Sequence, residues 1–265
     1  MQLTKENTMQ SFVPGRVSVI TATFNAETLL ARCINSVSTQ DYPDVEHVII
    51  DGGSSDRTLD VIEQYKDYIG YFTSEKDKGI YDAWNKGVKA ATGEWIAFLG
   101  SDDEYYPGAI SSYMRLAAGH PGTEYMSSQV RWVPAPPEKV KIIGAPWDWP
   151  GFQREMRVAH VGSMHHRSLF HRLGLYDLTY RITGDYELLL RAGDTLRTAF
   201  LPQVTAEMQA GGTSDSFEAL VEAKKAKVLS GGRSRAWASF EYMIKHSKLQ
   251  YRRGLVAAHR YWATR

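Results

Sequence analysis

Between residues 17 and 99 two hydrophobic rhythms take turns along the chain. Short, almost unbroken apolar runs, VSVIT (17–21), EHVIID (46–51), YFTS (71–74) and EWIAFL (94–99), predict strands. Apolar residues at helical spacing fill the gaps over 28–39, 58–65 and 80–91. Strands that are apolar throughout have no wet face, so the alternation predicts a mainly parallel sheet with helices on both faces, an α/β, Rossmann-like fold. In such sheets the ligand lies beyond the carboxyl ends of the strands. The loops to read are therefore TATFNAE, DGGSSD, SEKDKG and GSDDE.

After Pro107 the alternation weakens toward α+β character. A helix to about residue 118 precedes two predicted strands, YMSSQVRWV (125–133) and EKVKII (138–143), split by the turn PAPPE. Helices are expected over 167–173 and 185–192, each stopped by a glycine, Gly174 and Gly193. From Ser216 the pattern is helical again, broken at Gly231 and Gly232. The predicted organisation is a loose tail (1–16), a catalytic unit (17–215) whose halves meet near 106–107, and a helical C-terminal extension (216–265).

Composition changes this picture in two places. The single cysteine, Cys33, excludes an internal disulfide and a multi-cysteine metal site, and fits a reducing, cytoplasmic setting. The polar opening lacks the apolar core of a secretory signal, and no run reaches the length of a spanning helix. The net charge of +1 conceals an asymmetry. Residues 216–265 carry eleven Lys or Arg against Glu218, Glu222 and Glu241, or +8, leaving −7 for the rest. A basic, aromatic extension (Trp237, Tyr242, Arg252, Arg253, Tyr261, Trp262) suits an anionic membrane surface or a subunit contact, with a solvated helix face as the plain alternative. The acidic remainder argues against a nucleic-acid partner.

The candidate chemistry is carboxylate chemistry. Asp102 and Asp103 follow a buried strand side by side, an arrangement that is costly unless a cation shares the site. Mg2+ or Mn2+ binds through one or two carboxylates plus substrate phosphates, so two aspartates suffice. A solvated turn before the next helix is the alternative. Asp51 ends a strand before Gly52 and Gly53, where a carboxylate can accept from a nucleobase N–H or simply organise an Asp-Gly turn. Asp56 is assigned to capping the helix that starts near Thr58.

Taken together, VSVITATFNAE, VIIDGGSSDRT and SEKDKGIYDAWNKGVKAATGEWIAFLGSDD resemble family 2 inverting glycosyltransferases of the GT-A fold, particularly bacterial enzymes of capsule, exopolysaccharide and O-antigen assembly. The likeness runs from about residue 17 to 212. It implies that Thr21, Thr23 and Phe24 line the base and ribose of a nucleotide-sugar, that Asp51 binds the base, and that Asp77 and Lys78 are secondary contacts. It places Asp102 near ribose and metal and makes Asp103 the main metal ligand. Where the family often has a second Asp after strand two, this chain has Gly52. In YRITGDYELLLRAG, Asp185 matches the catalytic base that takes the proton of the acceptor hydroxyl; a helix cap is its alternative role, and Glu187 is the reserve base. GGTS (211–214) resembles a loop that closes over donor or acceptor. His160, His165 and His166, beside Arg167, are read as surface residues, His160 being the exception that could join a metal shell or meet an acceptor phosphate.

The expected activity is transfer of one sugar from a nucleotide-diphosphate sugar, UDP before GDP or dTDP, to a saccharide or lipid-linked saccharide. The expected site of action is the cytoplasmic face of the inner membrane. The spanning helices and Gln/Arg-x-x-Arg-Trp motif of processive synthases are absent from the sequence. A sugar nucleotidyltransferase would need a Gly- and Arg/Lys-rich phosphate loop after strand one, which TATFNAE is not. A non-catalytic nucleotide-sugar-binding protein would have no use for Asp185.

Overall fold

Burial on both faces of one strand, β1 (Val13–Thr23), organises the first half of the molecule. Val17 and Val19 pack with Cys33 and Val37 of α1 (Leu30–Ser38) and with Ile110 and Tyr113 of α4 (Ala109–Gly119). Ile20 points to the other face, against Val88 of α3 (Ile80–Ala90). That helix lies so close that a Cβ on Gly87 would come within 2.4 Å of the Ile20 side chain. The computed structural model describes residues 12–134, 138–211 and 216–263, the last helix without its side chains at 252 and from 254 onward.

Around β1 stand β2 (Val45–Asp51), β3 (Tyr71–Ser74) and β4 (Gly93–Phe98), all in parallel pairing, with α2 (Thr58–Gln64) between β2 and β3. This half follows the sequence pattern nearly residue for residue. The exception is the start. Val13 to Arg16, expected in the loose tail, belong to β1: Val13 pairs with Gly93, and the register shifts before Val17. Residues 1–11 lie outside the described residues.

The second half adds β5 (Glu104–Tyr105), β6 (Tyr125–Val133), β7 (Lys141–Ile143), β8 (Ser163–His166) and β9 (Thr198–Gln209), with α5 (Trp149–Phe152), α6 (Arg167–Leu173) and α7 (Gly184–Ala192). Among the described residues, one sheet runs in the order β3-β2-β1-β4-β8-β6-β9-β5, with β7 paired to β6. β8 is antiparallel to β4 and β6, whereas β6 and β9 are parallel. The mainly parallel sheet is thus parallel in its first half and mixed in its second. β9 escapes the hydrophobic pattern because it is bulged. Leu201 pairs with Ser128 and Val204 with Gln129, which pushes the exposed Pro202 and Gln203 out of the ladder.

β8 corrects the surface reading of the histidines. His165 is wholly buried among Phe98, Tyr125 and Phe170, and burial holds its pKa well below the ordinary value. Arg167 is also buried, its guanidinium donating to the carbonyls of Gly93 (2.7 Å) and Ala91 (2.5 Å) where α3 ends. His160 stacks on Trp84 with ring centroids 4.5 Å apart, and burial lowers its pKa to about 3. Of the three histidines, His166 has a carboxylate partner among the described residues, Glu94 at 3.3 Å.

The extension forms two helices, α8 (Phe217–Leu229) and α9 (Arg235–Ala263), broken at Gly231–Gly232 as the pattern predicts. α8 packs against both α7 and α9. Its fastening is polar: Ser216 caps its start through the Ala219 N–H, and Lys227, although buried, is held by Glu241 of α9 at 2.9 Å.

Candidate active site at the carboxyl ends of the strands

Asp51 closes β2 as a fully buried carboxylate. Its Oδ2 accepts from the backbone N–H of Gly53 (3.0 Å) and Ser54 (2.9 Å) and from the Ser74 hydroxyl, and its Oδ1 accepts from the Ser54 hydroxyl. The turn-organising role is therefore present in full. Gly52 stands where the family often has a second Asp, and the Asp77 carboxylate and the Phe24 ring lie over it. A Cβ at that position would lie 2.7 Å from the Asp77 carboxylate, which with Phe24 occupies the place.

Phe24, just past β1, is 62% exposed and presents its ring at this edge. Thr23 is buried, with its hydroxyl unpaired among the described residues. Thr21 departs from its expected role. Its side chain is fully buried, and its hydroxyl bonds His47 Nε2 at 3.0 Å in the interior, so it supports the cleft from below and does not line it. Asp77 accepts from Gly79 N–H at 2.8 Å and shapes the turn into α3. Lys78 is exposed, and its ammonium forms no ion pair among the described residues.

Asp102 and Asp103 follow β4 and converge. A Cβ on Gly100 would sit 2.5 Å from Asp103 Oδ2 and 2.9 Å from Asp102 Oδ1, so a larger residue there would require these carboxylates to shift. Asp103 is 5% exposed. Burial, followed by the charge of Asp102, pushes its pKa up to about 7, against which the Gln209 N–H at 2.9 Å supplies one stabilising bond. Two crowded carboxylates, one of them poorly solvated, make a site that gains by taking up positive charge. They fit Mg2+ or Mn2+, which need only such a pair when substrate phosphates complete the shell. Among the described residues no group of three or more His, Cys, Asp and Glu side chains is placed to hold a metal, and His160 is stacked on Trp84.

Asp185 lies in the first turn of α7, one residue inside the helix, and does not serve as the side-chain cap of that helix. Its Oδ1 accepts from Tyr186 N–H (2.9 Å) and from the Tyr81 hydroxyl (3.1 Å), whose proton is shared with the Ile182 carbonyl (2.8 Å). Burial raises its pKa above the ordinary carboxylate value. Tyr81 begins α3, directly after the Asp77–Lys78 loop, and so brings Asp185 to the same end of the sheet as the other carboxylates. Gly184 permits this approach, because a Cβ there would meet the Tyr81 ring at 2.9 Å. Glu187, the reserve base, is buried and engaged by Arg191 (3.1 Å) and the Ser230 hydroxyl (2.7 Å), which makes it structural.

One participant was not singled out in the sequence. Glu222 of α8 accepts from the backbone N–H groups of Arg181 (2.9 Å), Ile182 (2.9 Å) and Thr183 (3.1 Å), and so holds the loop that delivers Asp185. Its only sequence signal was a carboxylate in a strongly basic segment. A cavity of about 650 Å³ lies at the opposite end of β4 beside Glu94, Trp95 and His166, away from these carboxylates.

Residues 18–179 match the family model described as glycosyl transferase family 2. A PGL/p-HBAD biosynthesis glycosyltransferase of Mycobacterium tuberculosis is 30% identical over 214 residues, covering 76% of this chain and 79% of that one. A GalNAc(5)-diNAcBac-PP-undecaprenol beta-1,3-glucosyltransferase of Campylobacter jejuni is 39% identical over 106 residues, 38% of this chain and 34% of that one. Among solved structures, S. aureus TarS 1–349 in complex with UDP-GlcNAc superposes with a TM-score of 0.65 at 16% identity, covering 87% of this chain and 72% of that one. Of the longer TarS chain this protein spans 43%. A mannosyltransferase from Pyrobaculum calidifontis, in complex with GDP-Man and Mn2+, superposes with a TM-score of 0.59 at 16% identity, covering 94% and 81%. These structural likenesses establish the GT-A-like fold.

Proposed function

The chain is a glycosyltransferase of family 2, and on that premise we propose that it transfers a single sugar, with inversion, from a nucleotide-diphosphate sugar to a saccharide acceptor. The observation that carries this reading is the division of labour among carboxylates. Asp102 and Asp103 crowd together over Gly100, while Asp185 stands on a separate helix with its own hydrogen bonds and a raised pKa.

Phe24 offers an exposed ring for the base, and Thr23 and Asp51 mark the strand ends beside it. Asp102 and Asp103 would hold Mn2+ or Mg2+, which supplies positive charge to the donor diphosphate. Lys78 adds a cation from the neighbouring loop. Asp185 takes the proton from the acceptor hydroxyl as that oxygen bonds the anomeric carbon from the face opposite the leaving nucleoside diphosphate. Its raised pKa makes it a stronger base than an exposed aspartate. Tyr81 and the Tyr186 N–H fix the orientation of the carboxylate.

Two solved neighbours hold UDP-GlcNAc and GDP-Man, which supports a nucleotide-sugar donor, with UDP the first choice. A relative named for an undecaprenol-linked acceptor supports a lipid-linked saccharide and a place in bacterial cell-surface polysaccharide or O-antigen assembly. Trp237, Phe240, Met243 and Ile244 are exposed along α9 and suit a peripheral contact with an anionic membrane, on the cytoplasmic face. No helix among the described residues is long and apolar enough to cross a membrane. Side chains of Arg252, Tyr261 and Trp262, and the GGTS loop beyond Gly211, lie outside the described residues.

The test is calorimetry of UDP-, GDP- and dTDP-sugars with and without Mn2+, on the wild type and Asp103→Ala. Metal-dependent binding of one nucleotide class that disappears in the variant is expected. Absence of nucleotide binding under every metal condition refutes the reading. NMR of the anomeric proton in the product then reads the stereochemistry.

A further inference from the structure

We propose that the cavity of about 650 Å³ at the start of β4 is a second binding site, and that it takes a phosphate monoester carried on an apolar body. It lies at the end of the sheet remote from Asp102 and Asp103, and its residues take no part in the transfer described above. Its volume falls in the usual range of small-molecule sites, roughly 300–1,000 Å³.

Helical spacing builds one wall. Ser111, Met114, Arg115 and Ala118 stand at i, i+3, i+4 and i+7 on α4 and so share one face of that helix. Arg197 reaches the same cavity from the residue before β9. The turn after α4 makes room for it. Gly122 has a φ of +83°, and a Cβ there would lie 3.2 Å from Arg197 Nη1.

Charge selects the ligand. Arg115 donates to the hydroxyls of Ser112 (2.9 Å) and Ser111 (3.4 Å) and meets no carboxylate among the described residues. Arg197 faces Glu124 at 3.5 Å, but Arg172 already holds both oxygens of that carboxylate, at 3.1 and 3.0 Å. A guanidinium has five N–H donors, so both arginines keep donors for a ligand. Glu94 also lines the cavity, and its charge is answered in place. Its Oε2 accepts from the Gly15 N–H at 2.7 Å, and its Oε1 faces His166 Nε2 at 3.3 Å. A phosphate monoester carries about two negative charges at neutral pH and three acceptor oxygens, which suits two guanidiniums better than a lone carboxylate would.

The rest of the wall is apolar, from Met114, Ala118, Pro121 and Trp95. Inorganic phosphate would leave that surface in water. An ester whose body covers it gains from both surfaces at once.

The test is calorimetry on the full chain carrying Asp103→Asn, in EDTA, so that no metal-borne phosphate is read at the other end of the sheet. Phenyl phosphate, hexyl phosphate and inorganic phosphate are compared. At least one ester is expected to bind roughly tenfold more tightly than inorganic phosphate. Preference for the phenyl ester identifies a flat, nucleotide-like body, and preference for the hexyl ester an alkyl, lipid-like one. Arg115→Gln/Arg197→Gln is expected to weaken the better ester by roughly tenfold or more. Ala118→Trp, which fills the cavity without altering charge, is expected to weaken it comparably, and thermal melts verify that both variants are folded. Inorganic phosphate binding as tightly as both esters, absence of ester binding, or ester binding that survives either variant overturns the proposal. The transferase reading fails separately, as a wild type that binds no nucleotide with metal.

Discussion

The donor side and the Asp185 side hold their carboxylates by different means. Asp51 is fastened by Gly53, Ser54 and Ser74, and Asp102 and Asp103 are brought together by the turn at Gly100, so these groups depend on their own strand ends. Asp185 depends on distant chain: Tyr81 is 104 residues away, and the loop before α7 hangs on Glu222 of the extension. The first arrangement forms wherever the parallel half folds. The second exists only when α3, α7 and α8 have met. The donor side is not wholly self-contained either, because the Asp103 side chain accepts from the backbone N–H of Gln209 at the end of β9.

If the comparison holds, damage to each side has its own signature. The largest effect is expected from Asp103→Ala, with a fall in kcat of about 10³-fold or more, since charge stabilisation at a leaving diphosphate is among the largest catalytic contributions. Initial rates across a Mn2+ titration check it; a near-wild-type rate at saturating metal would mean that the metal sits elsewhere. Asp185→Asn should lower kcat by about 10²–10⁴-fold, the range for loss of a general base, with donor affinity unchanged. Single-turnover assays paired with calorimetry separate the two quantities, and a matching loss of donor binding would show that the sides are not independent.

Glu222→Ala sharpens the contrast further. It leaves three N–H groups to find water or go unpaired, at a cost of about 1–3 kcal/mol where burial prevents hydration. Transfer should slow roughly tenfold through misplacement of Asp185, with KM for the donor unaltered and with Glu222→Gln recovering part of the rate. An unchanged kcat would reduce Glu222 to a purely structural anchor.

The smallest effect is on stability, and its sign differs between two buried groups. The pKa of Asp103 is about 7 when folded against 3.8 ordinarily, so its contribution is present at acid pH and is lost as pH rises through about 7. His160 and His47 fall from 6.5 to about 3, so the unfolded chain binds protons first and stability is lost as pH drops from 6.5 toward 3. Melting curves in EDTA should therefore show Asp103→Asn raising the midpoint at pH 8 and not at pH 4, with the acid-side loss intact. A gain that is equal at both pH values would exclude ionisation of Asp103 as its cause.

The hydrophobic pattern alone determined the parallel half, its helices and the loops that carry Asp51, Asp77, Asp102 and Asp103, because strand and helix periods and turn residues act over a few positions. It also marked a helix beginning at Asp185, whose role came from the family resemblance and not from the pattern, and the break between the two helices of the extension. Only the tertiary structure decided the rest. Thr21 faces the core because pairing with β2 sets His47 beside it, and the run SMHH becomes a central strand because β4 and β6 close over both its edges. β9 is held by its ladder with β6 despite a bulge at Pro202, and Glu222 acquires its role through contacts that leave no local trace in the sequence. Short-range pattern records what each segment must bury, whereas the partner of a polar group is chosen by whichever distant segment arrives next to it.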